Sequence, residues 1–509
     1  MTDLALLPAS EERRDAALEV LLAASLDPII DVVAWRAGPG RYEAASANGH
    51  VRFSRRADGT TAAGAPCWQY DASVASGLNP IERQDPSHFE GLAAERAVPH
   101  PQRTENSYPH GYDHIAQLFD HPDAPDLVVL HTPSHYWGDQ GGHLGEHGSL
   151  GIVQARAPFI AAGAGVARSG LVSRSCRLVD VASVVLELLA GDTEPWSSWL
   201  PGSDGELPEE LVTDPGGARH VVAFLLDGTN PNVLYDLAAR GLAPNIARLM
   251  NMGTAFAHGA VASLPTVTLA NHTGILTGRH PGHHGILHNA WVNRATGDQV
   301  VTNSPATWVT ATNWLAPGVE TVHHAVKRAL PGATTISVNE PCDAGADYSV
   351  FDQMRRGEDV DRPPRAEELP DATERFVRPV KDYRWSSLID HTAVDQFRGV
   401  WSGEYRGRQI DRPRFSWVNF TLTDAAFHEG GPYSEIAAAS VADTDARIGR
   451  ILEVVESADV FDQTAFVLVA DHGMELANPS VTGDWDVALR DAGLPVRDEG
   501  YGFLYLPEV

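Results

Sequence analysis

Short runs of consecutive apolar residues recur along the chain, each closed by glycine, proline or an acid. They are Val128–Leu130 in DLVVLHTP, Pro158–Ala162 in APFIAAGAG, Val221–Leu226 in HVVAFLLDG, Thr335–Val338 in TTISVNEP, Phe415–Leu422 in RFSWVNFTLTD and Phe466–Val469 in AFVLVADHG. An unbroken apolar run of this length reads as a strand buried on both faces, the pattern of a parallel sheet. Helical patterns alternate with these runs. Ser10–Leu26 opens on a capping serine followed by acids, and Cys176–Ala190 and Asn245–Met252 carry apolar residues at helical spacing. The alternation predicts an α/β fold: a mostly parallel sheet with helices on both faces.

No short-period repeat interrupts this pattern. The clearest break in composition, SSWLPGSDGELPEELVTDPGGAR at about 197–219, is rich in proline, glycine and acids and reads as a linker. It divides the chain into 1–195, a linker at 196–219, and 220–509. A second polar stretch, 355–381, reads as a long surface loop.

Composition narrows the function. Among 509 residues, Lys and Arg number 38 against 67 Asp and Glu, a net charge of −29. Such a surface repels nucleic-acid backbones and anionic lipid, so neither duplex nucleic acid nor a membrane is expected as a partner. No membrane span and no secretory leader is read from the chain, and Cys67, Cys176 and Cys342 form no CxxC pair. The expectation is a cytoplasmic protein with reduced thiols.

Three of the strand-like runs end in acids, Asp227, Asp424 and Asp471. In open α/β sheets the ligand site lies beyond the carboxyl ends of the strands. A lone acid there is usually a cap or turn residue, but these coincide with histidines. Asp471-His472-Gly473 sets two ligand types side by side, and Asp424 with His428 is a D-x-x-x-H pair that shares one helical face. His147 sits in the tight GEHGS turn. Three carboxylates and three imidazoles without a thiolate suit divalent metal, zinc first and manganese or iron next. A separate cluster, His272, His280, His283, His284 and His288, lies in the turn-rich stretch around TGRHPGHHGILHN and is expected to serve capping and loop packing.

A hydroxyl at a helix start beside cations is an activated nucleophile. Thr268 is the candidate in SLPTVTLANHTGILTG, with Thr266 and Thr273 as competitors. Residue chemistry alone leaves the three open.

The ordered set DG, PTVTLANH, TGRHPGHHGILHN, DAAFH and DHGM resembles the nucleotide pyrophosphatase/phosphodiesterase (type I phosphodiesterase) branch of the alkaline phosphatase superfamily. The resemblance implies an alkaline-phosphatase-like fold with an inserted cap, here about 290–415, and two bound metal ions, most often zinc. It places the nucleophile on Thr268, the second threonine of Pro265–His272, and a phosphoryl-oxygen contact on Asn289. It carries the ligands over to Asp227, Thr268, Asp424, His428, Asp471 and His472. Val267 and Ala270 depart from the family's usual Lys and Pro, which touches the substrate pocket rather than the metal site.

In that family the last histidine ligand follows the D-H-G motif, in a G-[D/E]-H-G turn leading to an apolar strand and a terminal helix. Nothing after Asp471 fits, whereas GEHGSLGIVQARAPFIAAGAGVARSG and the following CRLVDVASVVLELLAG do. The implied arrangement is a circular permutation: residues 1–195 carry the family's C-terminal part, and His147 is the missing ligand. It requires His147 beside Asp424 and His428, and the two chain ends close together.

The activity so implied is hydrolysis of a phosphodiester or pyrophosphate bond in a small molecule or nucleotide, through a phosphothreonine intermediate. Trp291, Trp308, Trp314, Trp385 and Trp401 supply either stacking surface or cap core. The polar NEPCDAGADYS at 339–349 directly follows a strand without evident chemistry. Phosphonoacetate-type cleavage and monoester hydrolysis are the rival enzyme readings, and a metal-stabilised binding protein is the non-enzyme one. A sulfatase is excluded because no cysteine stands in a C-x-P-x-R motif.

Overall fold

In the computed structural model, which describes residues 6–138, 142–191, 194–358, 381–405 and 407–507, two sheets organise the chain. The main sheet has eight strands, in the order Tyr348–Ser349, Thr335–Val338, Phe415–Phe420, His220–Leu226, Thr464–Val469, Phe159–Gly163, Gly253–Phe256 and Gly170–Val172. Five of its seven pairings are parallel. Phe159–Gly163 runs antiparallel to both neighbours. The fold is therefore mixed α/β with a mostly parallel main sheet.

Alternation along His220–Leu226 builds both layers around this sheet. Val221, Ala223 and Leu225 face a core that includes the helix Val181–Ala190. Val222, Phe224 and Leu226 face the other, packed with side chains of Pro231–Ala239, Pro244–Met252, Lys381–Trp401 and Glu435–Ser457. These side chains are fully buried, each worth roughly 1.5–3 kcal/mol of hydrophobic stabilisation for a Val, Leu or Phe.

The second sheet was not expected from the sequence. Seven strands, in the order Arg497–Glu499, Phe503–Tyr505, Leu127–His131, Ile30–Gly38, Arg41–Ser46, Gly49–Thr60 and Pro66–Gly77, pair antiparallel throughout. Thus Val128–Leu130, read as part of a parallel sheet, is antiparallel, as is the run at 158–162. Burial on both faces makes a run apolar whatever its direction, so composition does not distinguish the two. One face of this sheet packs against Leu264, Leu269, Ile286, Leu287 and Trp291, next to the Thr268 helix.

The first and last described segments meet on this sheet. The carboxylate of Asp126 accepts the Ala9 amide at 3.0 Å and the Leu506 amide at 2.8 Å. The segment read as a linker is packed: Trp196, Trp199, Leu200 and Leu211 are buried. Within 290–415, Thr335–Val338 and Tyr348–Ser349 complete one edge of the main sheet. Most of the polar stretch at 355–381 lies outside the described residues.

Candidate metal and phosphoryl-transfer site

Register brings the acids together. Leu225 pairs with Val469, so Asp227 and Asp471 leave their strands level with each other. Leu226 pairs with Phe420, and the Asp227 amide donates to the Phe420 carbonyl at 3.0 Å. The chain then enters the helix Leu422–Gly430, which carries Asp424 and His428 one turn apart. Gly228, at φ 63°, lies against Asp424, so a Cβ there would strike the carboxylate. Gly145 brings the GEHGS turn onto this helix, where a Cβ would strike the Phe427 carbonyl.

Two groups of three side chains result, each with ligand atoms within 4.8 Å of one another: His147, Asp424 and His428, and Asp227, Asp471 and His472. In the first, the His147 and His428 Nε2 atoms are 3.2 Å apart, and His428 Nε2 is 3.4 Å from Asp424 Oδ1. His147 Nδ1 lies 2.8 Å from the Thr266 carbonyl and His428 Nδ1 2.7 Å from the Gly145 carbonyl. A carbonyl only accepts, so both Nδ1 atoms carry the proton and both Nε2 atoms present lone pairs to the same space.

In the second group, His472 Nδ1 donates to the Gly473 carbonyl at 2.9 Å. Its Nε2 faces Asp471 Oδ2 at 3.1 Å and Asp227 Oδ1 at 3.8 Å. The Gly228 amide fixes the other Asp471 oxygen at 3.1 Å. The His147 and His472 rings stack with centroids 3.7 Å apart, so the two groups are contiguous.

Asp227 Oδ1, Asp424 Oδ1, Asp471 Oδ2 and His472 Nε2 are all buried without a hydrogen-bond partner among the described residues. Buried polar atoms rarely stay unpaired, and lone pairs converging from carboxylates and imidazoles are a cation's donor set. The residues fit two divalent ions. The charges of the protein alone are strained: burial, together with the charges of Asp471 and Asp424, pushes the Asp227 carboxyl well above its ordinary range. Burial, with His472 and His428 alongside, holds the His147 imidazolium well down. Both shifts are relieved by a cation, which neutralises the acids and takes the imidazole lone pairs.

Hydrogen bonding distinguishes the three hydroxyls. Thr266 is buried, donating to the Ser149 carbonyl and accepting from the Gly148 amide, each at 2.9 Å. Thr273 donates back to the Leu269 carbonyl at 2.7 Å. Thr268, the first residue of the helix Thr268–Thr277, is half-buried, and its hydroxyl has no partner among the described residues. The turn ahead of it is tied down by Asn271, whose amide group donates to the carbonyls of Ser263, Pro265 and Val267. Asn289 Oδ1 accepts the Leu269 amide at 3.2 Å, which sets the Asn289 side chain at this helix start with its NH2 group as a remaining donor.

The histidine cluster divides. His280, His283 and His284 bond to Ser263, to Asp204 and Asp120, and to the Ala270 carbonyl, as loop packing requires. His288 is buried and accepts the Asn289 amide at 2.8 Å. His272 differs. Its Nε2 lies 3.4 Å from Asp471 Oδ2 and 3.7 Å from Asp227 Oδ2, inside the carboxylate group. The signal was present in the sequence, since His272 is four residues after Thr268 and shares its helical face. Glu146 and His143, which form a further group with His428, were also overlooked. Burial, reinforced by Asp424, pushes the Glu146 carboxyl up to about 8.

Of the tryptophans, Trp291 and Trp401 are core, while Trp308 and Trp385 stack with centroids 6.3 Å apart.

Residues 221–507 match the family described as type I phosphodiesterase / nucleotide pyrophosphatase. The chain is 24% identical over 260 residues to an uncharacterized pyrophosphatase/phosphodiesterase of Schizosaccharomyces pombe, covering 50% of this chain and 44% of that one. It is 23% identical over 263 residues to ectonucleotide pyrophosphatase/phosphodiesterase family member 3 of Mus musculus, covering 50% and 25%. The match thus spans less than half of either relative. Among solved structures, murine ectonucleotide pyrophosphatase/phosphodiesterase 5 in complex with AMP aligns at 15% identity and a TM-score of 0.37, over 52% of this chain and 59% of that one. Phosphonoacetate hydrolase from Sinorhizobium meliloti with phosphonoacetate aligns at 22% identity and a TM-score of 0.33, over 50% and 57%.

Proposed function

The chain belongs to the type I phosphodiesterase/nucleotide pyrophosphatase family, and from that premise we propose that it hydrolyses a phosphodiester or pyrophosphate bond of a small molecule, with Thr268 as the nucleophile. The observation that carries this reading is the Thr268 hydroxyl at a helix N-terminus, unpartnered among the described residues, with Asn289 beside it and two Asp/His groups nearby in the fold.

His147, Asp424 and His428 would hold one ion, and Asp227, Asp471, His472 and the Thr268 oxygen the other. Bound divalent ions, most often zinc in such N/O sites, would lower the hydroxyl pKa and neutralise charge on the substrate's phosphoryl group. Thr268 Oγ attacks phosphorus in line with the leaving oxygen, the bond to that oxygen breaks, and an ester forms on the threonine. Water then cleaves the ester and frees the hydroxyl. The Asn289 NH2 group donates to an equatorial phosphoryl oxygen, and the dipole of the helix Thr268–Thr277 favours the anion in front of it.

A diester fits better than a monoester. Among the described residues the ion pairs of Asp227, Asp424 and Asp471 run to histidines and to no Lys or Arg, so no fixed cation there meets the extra charge of a monoester. The test is turnover of bis-p-nitrophenyl phosphate against p-nitrophenyl phosphate on one zinc-loaded preparation. Preference for the diester is expected. Preference for the monoester overturns the substrate class, and turnover of neither moves phosphonates and then a non-catalytic role forward.

We also propose that the chain is a circularly permuted member, with residues 1–195 as the displaced C-terminal part, 196–219 as the junction and 220–509 as the main catalytic part. His147 beside His428 and the shared Asp126 contact of Ala9 and Leu506 support this. A chain starting at residue 196, with 509 joined to 1 by a short Gly-Ser bridge, is expected to fold and keep its ions. We propose a cytoplasmic setting for the chain.

A further inference from the structure

Glu340 lies in the polar NEPCDAGADYS stretch and is fully buried. A carboxylate so placed needs partners, and it has them. Glu340 Oε1 accepts the Cys342 amide at 2.9 Å, and Oε2 accepts the Trp417 indole N–H at 3.0 Å. The same Oε2 lies 2.8 Å from His272 Nδ1. The far edge of the His272 ring reaches the Asp471 and Asp227 carboxylates at 3.4 and 3.7 Å. Both ring contacts depart from ideal hydrogen-bond angles, and Asp471 Oδ2 keeps no hydrogen-bond partner among the described residues, so the ring abuts this oxygen without saturating it.

This is a chain of contacts from a strand two places along the sheet, through the nucleophile's helix, to two acids of one candidate ion site. Val338 pairs with Val418, and that strand in turn pairs with the strand ending at Asp227. His272 is on the Thr268 helix, so its ring also fixes how that helix approaches the acids.

We propose that Glu340 and His272 form a positioning relay that sets the orientation of the Asp471 and Asp227 carboxylates, and with it the affinity of the ion held by Asp227, Asp471 and His472. The relay leaves the other group, His147, Asp424 and His428, untouched. Carboxylate–histidine partners behind metal ligands commonly change metal affinity 10–100-fold when removed. The inference rests on the metal reading of the preceding subsection.

The test is zinc titration against a competing fluorescent chelator, on the full chain, for wild type, His272→Gln and Glu340→Gln. A parallel series is made in a His428→Ala background, which isolates the second group. Each variant's ion-free melting temperature is recorded. Wild type is expected to bind two ions. His272→Gln is expected to weaken one of them by about 10-fold or more while the other stays within about twofold, and the loss should persist in the His428→Ala background. Glu340→Gln, which preserves size and an acceptor oxygen, should cause a smaller loss at the same ion. Unchanged affinities in either variant overturn the relay. Equal weakening of both ions with a lowered ion-free melting temperature also overturns it, in favour of a purely structural role. If wild type binds no zinc, the metal reading itself fails, an outcome distinct from failure of the relay. If His272→Gln does not fold, Glu340→Gln decides alone.

Discussion

The Nε2 atoms of His147 and His428 lie 3.2 Å apart across a sequence separation of 281 residues, each with its Nδ1 proton committed to a backbone carbonyl. Two lone pairs facing each other at that distance repel unless a cation stands between them. Backbone builds this arrangement: Gly145 presses the turn that carries His147 onto the helix that carries His428. The contact joins the two halves of the chain at the one place where the proposed chemistry needs both.

Removing the nucleophile should separate chemistry from metal binding. Thr268→Ala is expected to lower kcat by about 10³-fold or more while keeping both ions, because the Asp and His ligands are untouched. Metal analysis alongside steady-state diester hydrolysis checks this. Near wild-type turnover in the variant would reassign the nucleophile.

Asn289→Ala should act on the transition state. Loss of one donor to a developing oxyanion typically costs about 10²–10³-fold in kcat, with little change in KM. A rise in KM at constant kcat would instead make Asn289 a ground-state binding residue.

Ions that bind only the folded state stabilise it by mass action, about 4 kcal/mol for one site at a thousand times its dissociation constant. Dialysis against a chelator should therefore lower the melting temperature by on the order of 5 °C, and zinc should restore it. A melting curve indifferent to both would remove the metal from the account.

Stability should also depend on pH through a pair away from the candidate site. Burial disfavours a charged His283, but Asp204 and Asp120 outweigh it and push the imidazole up to about 10, from 6.5. A raised folded-state value means that the stabilisation is complete below pH 6.5 and drains away as the pH climbs towards 10. His283→Gln should thus cost on the order of 1–2 kcal/mol near pH 6, between the scales of an exposed and a buried pair because these side chains are partly exposed, and progressively less towards pH 10. Denaturant unfolding at several pH values checks this, and a pH-independent gap would contradict it.

Five of the main sheet's eight strands were legible because they are buried on both faces, and buried runs such as Val221–Leu226 have no polar positions to hide them. The antiparallel sheet was not, for the opposite reason. Gly49–Thr60 is buried only in alternate residues at its start, and Pro66–Gly77 is exposed almost throughout, so pairing rather than an apolar face defines those strands. The same contrast holds at the site. Asp227 and Asp471 announce themselves as strand-end acids, and Asp424 by its four-residue spacing from His428, although it sits on the helix Leu422–Gly430. Glu340 does not, since its role comes from a helix that arrives from elsewhere in the chain. His272 was hidden in a crowd of histidines whose other members do pack loops, although its spacing from Thr268 marked it.

The most direct test of the central claim is the stereochemical course at phosphorus. Hydrolysis of a chiral phosphorothioate diester in 18O-labelled water reports how many in-line displacements occur. Attack by Thr268 followed by attack of water is two, so net retention of configuration is the expected result. Inversion would mean a single direct attack by water and would contradict the threonine nucleophile.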